Sequence, residues 1–151
     1  MSLEKAYLVQ GISKPTLERM AAIAAEESHP AGTFLFRAGD PAEHLYILGA
    51  GRIRLCVGEK GQVAYVISDP GEAIGWSSMV EQEEYTSSAE CILPVTVTKI
   101  EKNALLQLLE NDPASGLTFF RHLSRIIGQR LVNCYKATLS VQGKRNSRSY
   151  G

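Results

Sequence analysis

The residues best suited to chemistry run from Gly71 to Ala89. Gly71-Glu72-Ala73-Ile74-Gly75-Trp76-Ser77-Ser78-Met79-Val80 reads as a Gly-bounded turn followed by a short apolar helix. Tyr85-Thr86-Ser87-Ser88-Ala89 then carries small hydroxyl residues back into a strand. Turns and helix N-termini of this kind present backbone N–H groups that can hold an anion. The side chains oppose that reading. Between Ile67 and Thr98 there is no Lys or Arg, while Asp69, Glu72, Glu81, Glu83, Glu84 and Glu90 are acidic. The backbone pattern points to a phosphate pocket, and the charge argues against a conventional one.

Other chemistries find less support. His29, His44 and His122 fall on a helix end, a loop and a helix, without the spacing a metal site needs, so no metal and no cofactor are expected. Cys56, Cys91 and Cys134 are odd in number and far apart, and no Cys-x-x-Cys pair exists. That pattern fits reduced thiols in a cytoplasmic protein. No Ser-His-Asp or Cys-His set can be brought to one mouth, and the adjacent carboxylates of Glu83 and Glu84 point apart. The chain therefore reads as non-enzymatic.

Composition narrows the class further. At 151 residues the chain is long enough for one domain with a real core. Sixteen basic residues cancel sixteen acidic ones, so no global field draws it to nucleic acid or an anionic membrane. No apolar run approaches the roughly 18 residues that span a bilayer, and the N-terminus lacks the plan of a signal peptide.

The elements that must position these residues follow from periodicity. Ser13-Lys14-Pro15 opens a helix expected to reach about Glu27, with Leu17, Met20, Ile23 and Ala24 on one face. From Thr33 to about Ile100 short strands alternate with turns. Ile53, Leu55 and Val57 alternate with Arg52, Arg54 and Cys56, as in a strand with one wet face. Short strands with a turn every eight to twelve residues predict an antiparallel barrel or jelly roll. A Leu-rich helix spans Lys102 to Glu110. Asp112 and Pro113 then cap and start a long helix, about 113–141. Along it Leu117, Phe120, Ser124, Ile127, Leu131, Cys134, Thr138 and Val141 follow 3-4 spacing, a seam for a second copy. Phe119, Leu123 and Ile126 form another stripe suited to the barrel. Residues 1–142 thus make one domain, and 143–151, with Lys144, Arg145 and Arg148, make a flexible basic tail that is solubilising rather than nucleic-acid-binding.

This order of elements resembles the cyclic nucleotide-binding domain of the catabolite activator family, over about residues 10 to 140. Phe36-Arg37-Ala38-Gly39-Asp40-Pro41-Ala42-Glu43-His44-Leu45-Tyr46-Ile47-Leu48 is similar to the family's opening motif, and Gly49-Ala50-Gly51-Arg52-Ile53 to its next turn. The resemblance implies a double-stranded β-helix (jelly roll), mainly β with flanking helices, in which residues 71–89 are the phosphate-binding cassette. In members that bind cAMP, a Glu after the cassette's second Gly accepts the ribose hydroxyl; here Trp76 follows Gly75. An Arg beside Ser or Thr and Ala pairs with the phosphate; here Ser87-Ser88-Ala89 stands in that place, with Ser87 or, given one extra residue, Thr86 at the Arg position. Loss of a charge-assisted bond worth about 1.5–3 kcal/mol lowers affinity by roughly one to two decades.

The resemblance therefore implies a regulatory or sensor module, homodimeric through its last helix. Its effector is expected to be nucleotide-like but other than cAMP or cGMP. Gly75, Trp76, Ser77, Ser78, Thr86, Ser87, Ser88 and Ala89 are the candidate ligand contacts, with Cys134 and Tyr135 near the ligand's ring from the long helix. Trp76 is equally readable as hydrophobic filling, and the hydroxyls as turn caps. On that reading the chain is a ligand-free scaffold or interaction domain with a collapsed pocket. In full-length regulators of the family a helix-turn-helix follows the long helix; with the chain ending at Gly151, no direct nucleic-acid binding is expected.

Overall fold

Alternation along the strands sorts the apolar residues into two cores. The structure is a computed structural model that describes residues 3–58 and 60–149, the side chains of residue 64 and of 142–149 excepted. Its eight strands are β1 (Ala25–His29), β2 (Phe34–Phe36), β3 (His44–Ala50), β4 (Ile53–Val57), β5 (Gln62–Ile67), β6 (Ala73–Ile74), β7 (Ser88–Cys91) and β8 (Val95–Glu101). They form two four-stranded antiparallel sheets, ordered β1-β8-β3-β6 and β2-β7-β4-β5. This is the expected jelly roll. On β3, Tyr46 and Leu48 turn into the roll beside Phe36, Ile53, Ile67, Ile74 and Val97. Leu45 and Ile47 turn the other way, into a layer of helices. A strand buried on both faces reads as a continuous apolar run, as Leu45 to Leu48 does.

The helical layer holds α1 (Lys14–Ile23), α2 (Lys102–Asn111) and α3 (Pro113–Ser149), with two short 3₁₀ turns at Leu3–Lys5 and Tyr7–Val9. Its core joins Leu8, Met20, Ile100, Leu105, Leu109, Phe119 and Leu123, all almost fully buried. Phe119 and Leu123 of the second α3 stripe are buried in this core, with Ile126 packed against it.

Two boundaries differ from expectation. The first helix stops at Ile23 instead of near Glu27, and Ala25 to His29 form β1, in register with β8 from Ala25↔Lys99 to His29↔Val95. Sheet pairing overrides the helix preference of the Glu residues. Glu27 lies 2.9 Å from His29 Nε2 and 3.4 Å from Lys99 Nζ on the neighbouring strand. The second difference is at the other end. The basic tail expected to be flexible continues α3 to Ser149. Extending an existing helix is far easier than nucleating one, and the segment has no proline and carries the good helix formers Lys144, Arg145 and Arg148. Tyr150 and Gly151 lie outside the described residues. Among the described residues no helix is long and apolar enough to cross a membrane.

Asp112 joins the ends of the helical layer. Its Oδ1 accepts from the Ser115 N–H at 3.4 Å, the N-cap contact expected from sequence. Its Oδ2 accepts from Ser13 Oγ at 2.6 Å and Thr16 Oγ1 at 2.7 Å. Ser13 thus spends its hydroxyl on Asp112 and makes no side-chain cap on α1. These bonds hold the Asp112 carboxyl far below the usual carboxylate range. A group whose folded pKa is depressed contributes stability above its unfolded value, about 3.9, and loses it as pH falls. We expect Asp112→Ala to lower the melting temperature at neutral pH and to flatten the acid-side decline of the wild-type protein. Calorimetric melts between about pH 7 and pH 3 check this; parallel curves for the two proteins would refute it.

Candidate functional site

At one end of the roll the alternation weakens. Ile53 on β4 is fully buried, Leu55 is half-buried and Val57 is exposed. The apolar residues left uncovered there line a cavity of about 180 Å³, closed by the cassette on one side and by α3 on another.

Gly75 begins the cassette. Its φ of +76° is left-handed, and a Cβ there would sit 3.1 Å from the His44 carbonyl oxygen and 3.1 Å from the Tyr85 ring. Only glycine turns here without strain. The helix expected after it is a single 3₁₀ turn, Trp76–Met79. Ser78 is buried and spends its side chain at once, donating from Oγ to the Gly75 carbonyl at 2.9 Å. The return segment is pinned by Tyr85. Its ring stacks on Phe36 with centroids 3.8 Å apart, and its hydroxyl donates to the His44 carbonyl at 2.6 Å.

Six of the ten expected site residues come together: Gly75, Trp76, Ser77, Thr86, Ser87 and Cys134 line the cavity. The other four lie elsewhere. Ser78 caps its own turn, and Ser88 Oγ accepts from the Ala38 N–H at 2.9 Å. Ala89 is fully buried in the roll core. Tyr135, at 60% exposure, stands out from α3. Trp76 does not fill the roll. It is half-buried and packs against the helical-layer core, while also lining the cavity.

The cavity also has a cation, which reading the cassette alone did not find. Arg130 reaches in from α3, its Nη2 donating to the Ala73 carbonyl at 2.7 Å, two residues before Gly75. Its guanidinium carbon lies 5.1 Å from the centre of the Tyr65 ring. Burial lowers its pKa below the ordinary guanidinium value, while Tyr65 and Glu72 oppose that shift. Its Nη1 is buried and has no hydrogen-bond partner among the described residues. The available signal was a lone Arg four residues before Cys134, one helical turn from a residue already singled out.

Two of the acidic residues between Ile67 and Thr98 are engaged by neighbours. Glu90 accepts a two-pronged bond from Arg54, at 3.0 and 3.1 Å. Glu72 Oε2 accepts from the Ser68 and Asp69 N–H groups at 3.2 and 3.0 Å. Glu81, Glu83 and Glu84 are exposed on the loop between the turn and β7. Among the described residues no three His, Cys, Asp or Glu side chains converge as a metal site would require.

Comparison with known proteins places this geometry. The family model described as a cyclic nucleotide-binding domain matches residues 26–112, more than half of the chain. A crystal structure of a putative cyclic nucleotide-binding protein from Geobacter metallireducens superposes with a TM-score of 0.76 at 27% identity, covering 85% of this chain and 95% of that one. An uncharacterized NTE family protein of Mycobacterium bovis is 25% identical over 128 residues, 85% of this chain but 22% of its own length. A CRP-like cAMP-activated global transcriptional regulator of Mycobacterium tuberculosis is 24% identical over 127 residues, 82% of this chain and 56% of that protein. The chain thus spans about a fifth of the first of these curated relatives and just over half of the second.

Gly75→Ala should lower the unfolding free energy by about 1–3 kcal/mol, the usual strain of a left-handed non-glycine residue. Urea denaturation measures it; a variant as stable as the wild type would show that the turn relaxes freely.

Proposed function

Because the chain belongs to the cyclic nucleotide-binding domain family, we propose that it is a non-enzymatic sensor whose effector is a small molecule other than cAMP or cGMP, bound between the cassette and α3. The observation that carries this reading is where the positive charge comes from. The cassette supplies none, and the cavity's guanidinium belongs to the long helix. An effector contacting Arg130 and the hydroxyls of Ser77, Thr86 and Ser87 would therefore touch roll and helix together. An anionic group on that effector would gain a charge-assisted bond from Arg130. Size supports exclusion of a purine cyclic nucleotide. The cavity, at about 180 Å³, lies below the roughly 300–1,000 Å³ common for drug-sized ligands.

The scaffold reading draws on the same numbers, since Arg130 already donates to the Ala73 carbonyl and the cavity is small. Ligand response separates the two. Trp76 is the chain's single tryptophan and lines the cavity, so its fluorescence reports on binding there. A metabolite panel should yield a compound that raises the melting temperature and changes Trp76 emission, with both effects weakened in Ser87→Ala. No hit across the panel would favour the scaffold, and submicromolar calorimetric binding of cAMP or cGMP would defeat the stated effector class.

We further propose that the protein is a homodimer through α3. The 3-4 seam supports it: Leu117, Leu131 and Val141 on that seam are about half exposed or more, at 55, 49 and 53%. Cys134 falls on the same seam. In a parallel pair the two Cys134 side chains would face each other within disulfide reach. Light scattering should give the dimer mass, and mild oxidation should give a crosslinked dimer that Cys134→Ser cannot form. A monomer mass at tens of micromolar would contradict the proposal.

A further inference from the structure

A second cavity shares Arg130 with the first. It measures about 380 Å³, about twice the cassette cavity and within the range of small-molecule sites. Four separate segments wall it: the N-terminal 3₁₀ turns, β5, the turn leading into β6, and α3. We infer that this cavity is a ligand site in its own right, for a small flat organic anion, a carboxylate or phosphate carried on an aromatic ring.

Charge comes first. Lys5, Arg125 and Arg130 line the cavity, against one carboxylate, Glu72. Glu72 is held in its own turn by the Ser68 and Asp69 N–H groups. Neither Lys5 nor Arg125 belongs to an ion pair among the described residues, and Arg130 keeps one N–H nitrogen without an acceptor among them. In a chain whose charges balance overall, three cations around one hollow make a local positive field.

Shape comes second. Two of the cations lie near aromatic rings that also line the cavity. The Arg125 guanidinium is 5.9 Å from the centre of the Tyr7 ring, and that of Arg130 is 5.1 Å from the Tyr65 ring. Tyr7 is backed by His122, with centroids 4.6 Å apart. Rings and planar guanidiniums favour a flat guest whose acidic group reaches the cations. Gln129 adds a neutral polar group on the same wall.

Access comes third. On the seam repeat that contains Leu117, Ser124 and Leu131, the cavity-lining residues Arg125, Ile126 and Gln129 fall on the opposite side of α3. A dimer closed through that seam leaves this cavity open. The inference does not rest on the cassette as an effector site, because among the described residues only Tyr65 and Arg130 line both cavities.

The test uses 1-naphthoate as probe, with neutral 1-naphthamide and inorganic phosphate as controls, on the full chain. Amide NMR titration should show saturable 1-naphthoate binding that moves Lys5, Gly71 and Gln129 and leaves Gly75 and Ser87 in place. Arg125→Ala, at an exposed position, should weaken binding by about tenfold or more, as loss of a charged contact does. Lys5→Ala should weaken it in the same direction, and Ser87→Ala should not change it. 1-Naphthamide should bind at least about tenfold more weakly for the same reason. Phosphate binding as tightly as 1-naphthoate would reduce the site to a bare ion contact and overturn the inference. So would unsaturable binding, equal affinity for the amide, indifference to Arg125→Ala, or shifts confined to the cassette. Failure at this cavity leaves the cassette prediction standing, since Trp76 emission and Ser87→Ala report on that one separately.

Discussion

The docking of α3 across the end of the roll is the contact on which the rest depends. Phe119 and Leu123 are fully buried in the helical layer and fix one side of the helix. About two turns beyond Leu123, Arg130 bonds the Ala73 carbonyl and fixes the same helix to the strand that leads into the cassette. Apolar burial supplies most of the holding energy, at about 1.5–3 kcal/mol for each large side chain. The guanidinium contributes direction: its planar set of donors accepts little rotation once one of them is bonded and the ring of Tyr65 lies beside it.

That arrangement makes Arg130 a shared wall. It lines both the hollow with Trp76, Thr86 and Ser87 and the one with Lys5 and Arg125. A buried charge with an unpaired N–H is costly, because the group has lost water without gaining a full set of partners. Any acceptor that approached Arg130 from either hollow would compete with, or add to, the bond to Ala73. The two hollows thus share one side chain.

Asp112 has a comparable place at the other end of α3. It collects the first helix, the α2–α3 corner and the first turn of α3 on one carboxylate. The long helix is therefore anchored at its N-terminus by hydrogen bonds and in its middle by burial. Its later turns carry exposed apolar residues, among them Leu131, Tyr135 and Leu139. Apolar side chains concentrated where the helix leaves the body form a surface of the sort that marks association.

Much of the fold was legible from local pattern. The alternation of β4, the continuous apolar run of β3, the turns that punctuate them, and the Asp112-Pro113 start of α3 each follow from neighbours a few residues apart. The missing positive charge in the cassette and the two stripes of α3 were equally local facts. What the sequence by itself determined, then, was the roll, the order of its elements and the glycine turn that opens the site. Tertiary structure decided the rest. Ala25 to His29 became a strand because β8, some seventy residues away, offered an unpaired edge. Ser88 and Ala89 turned from the cavity because Ala38 and the roll core claimed them. Arg130 came to line the cavity because a helix remote in sequence was laid across its mouth. Each of these depends on contacts between segments far apart in the chain, and no periodicity within either segment encodes which of its groups the other will meet.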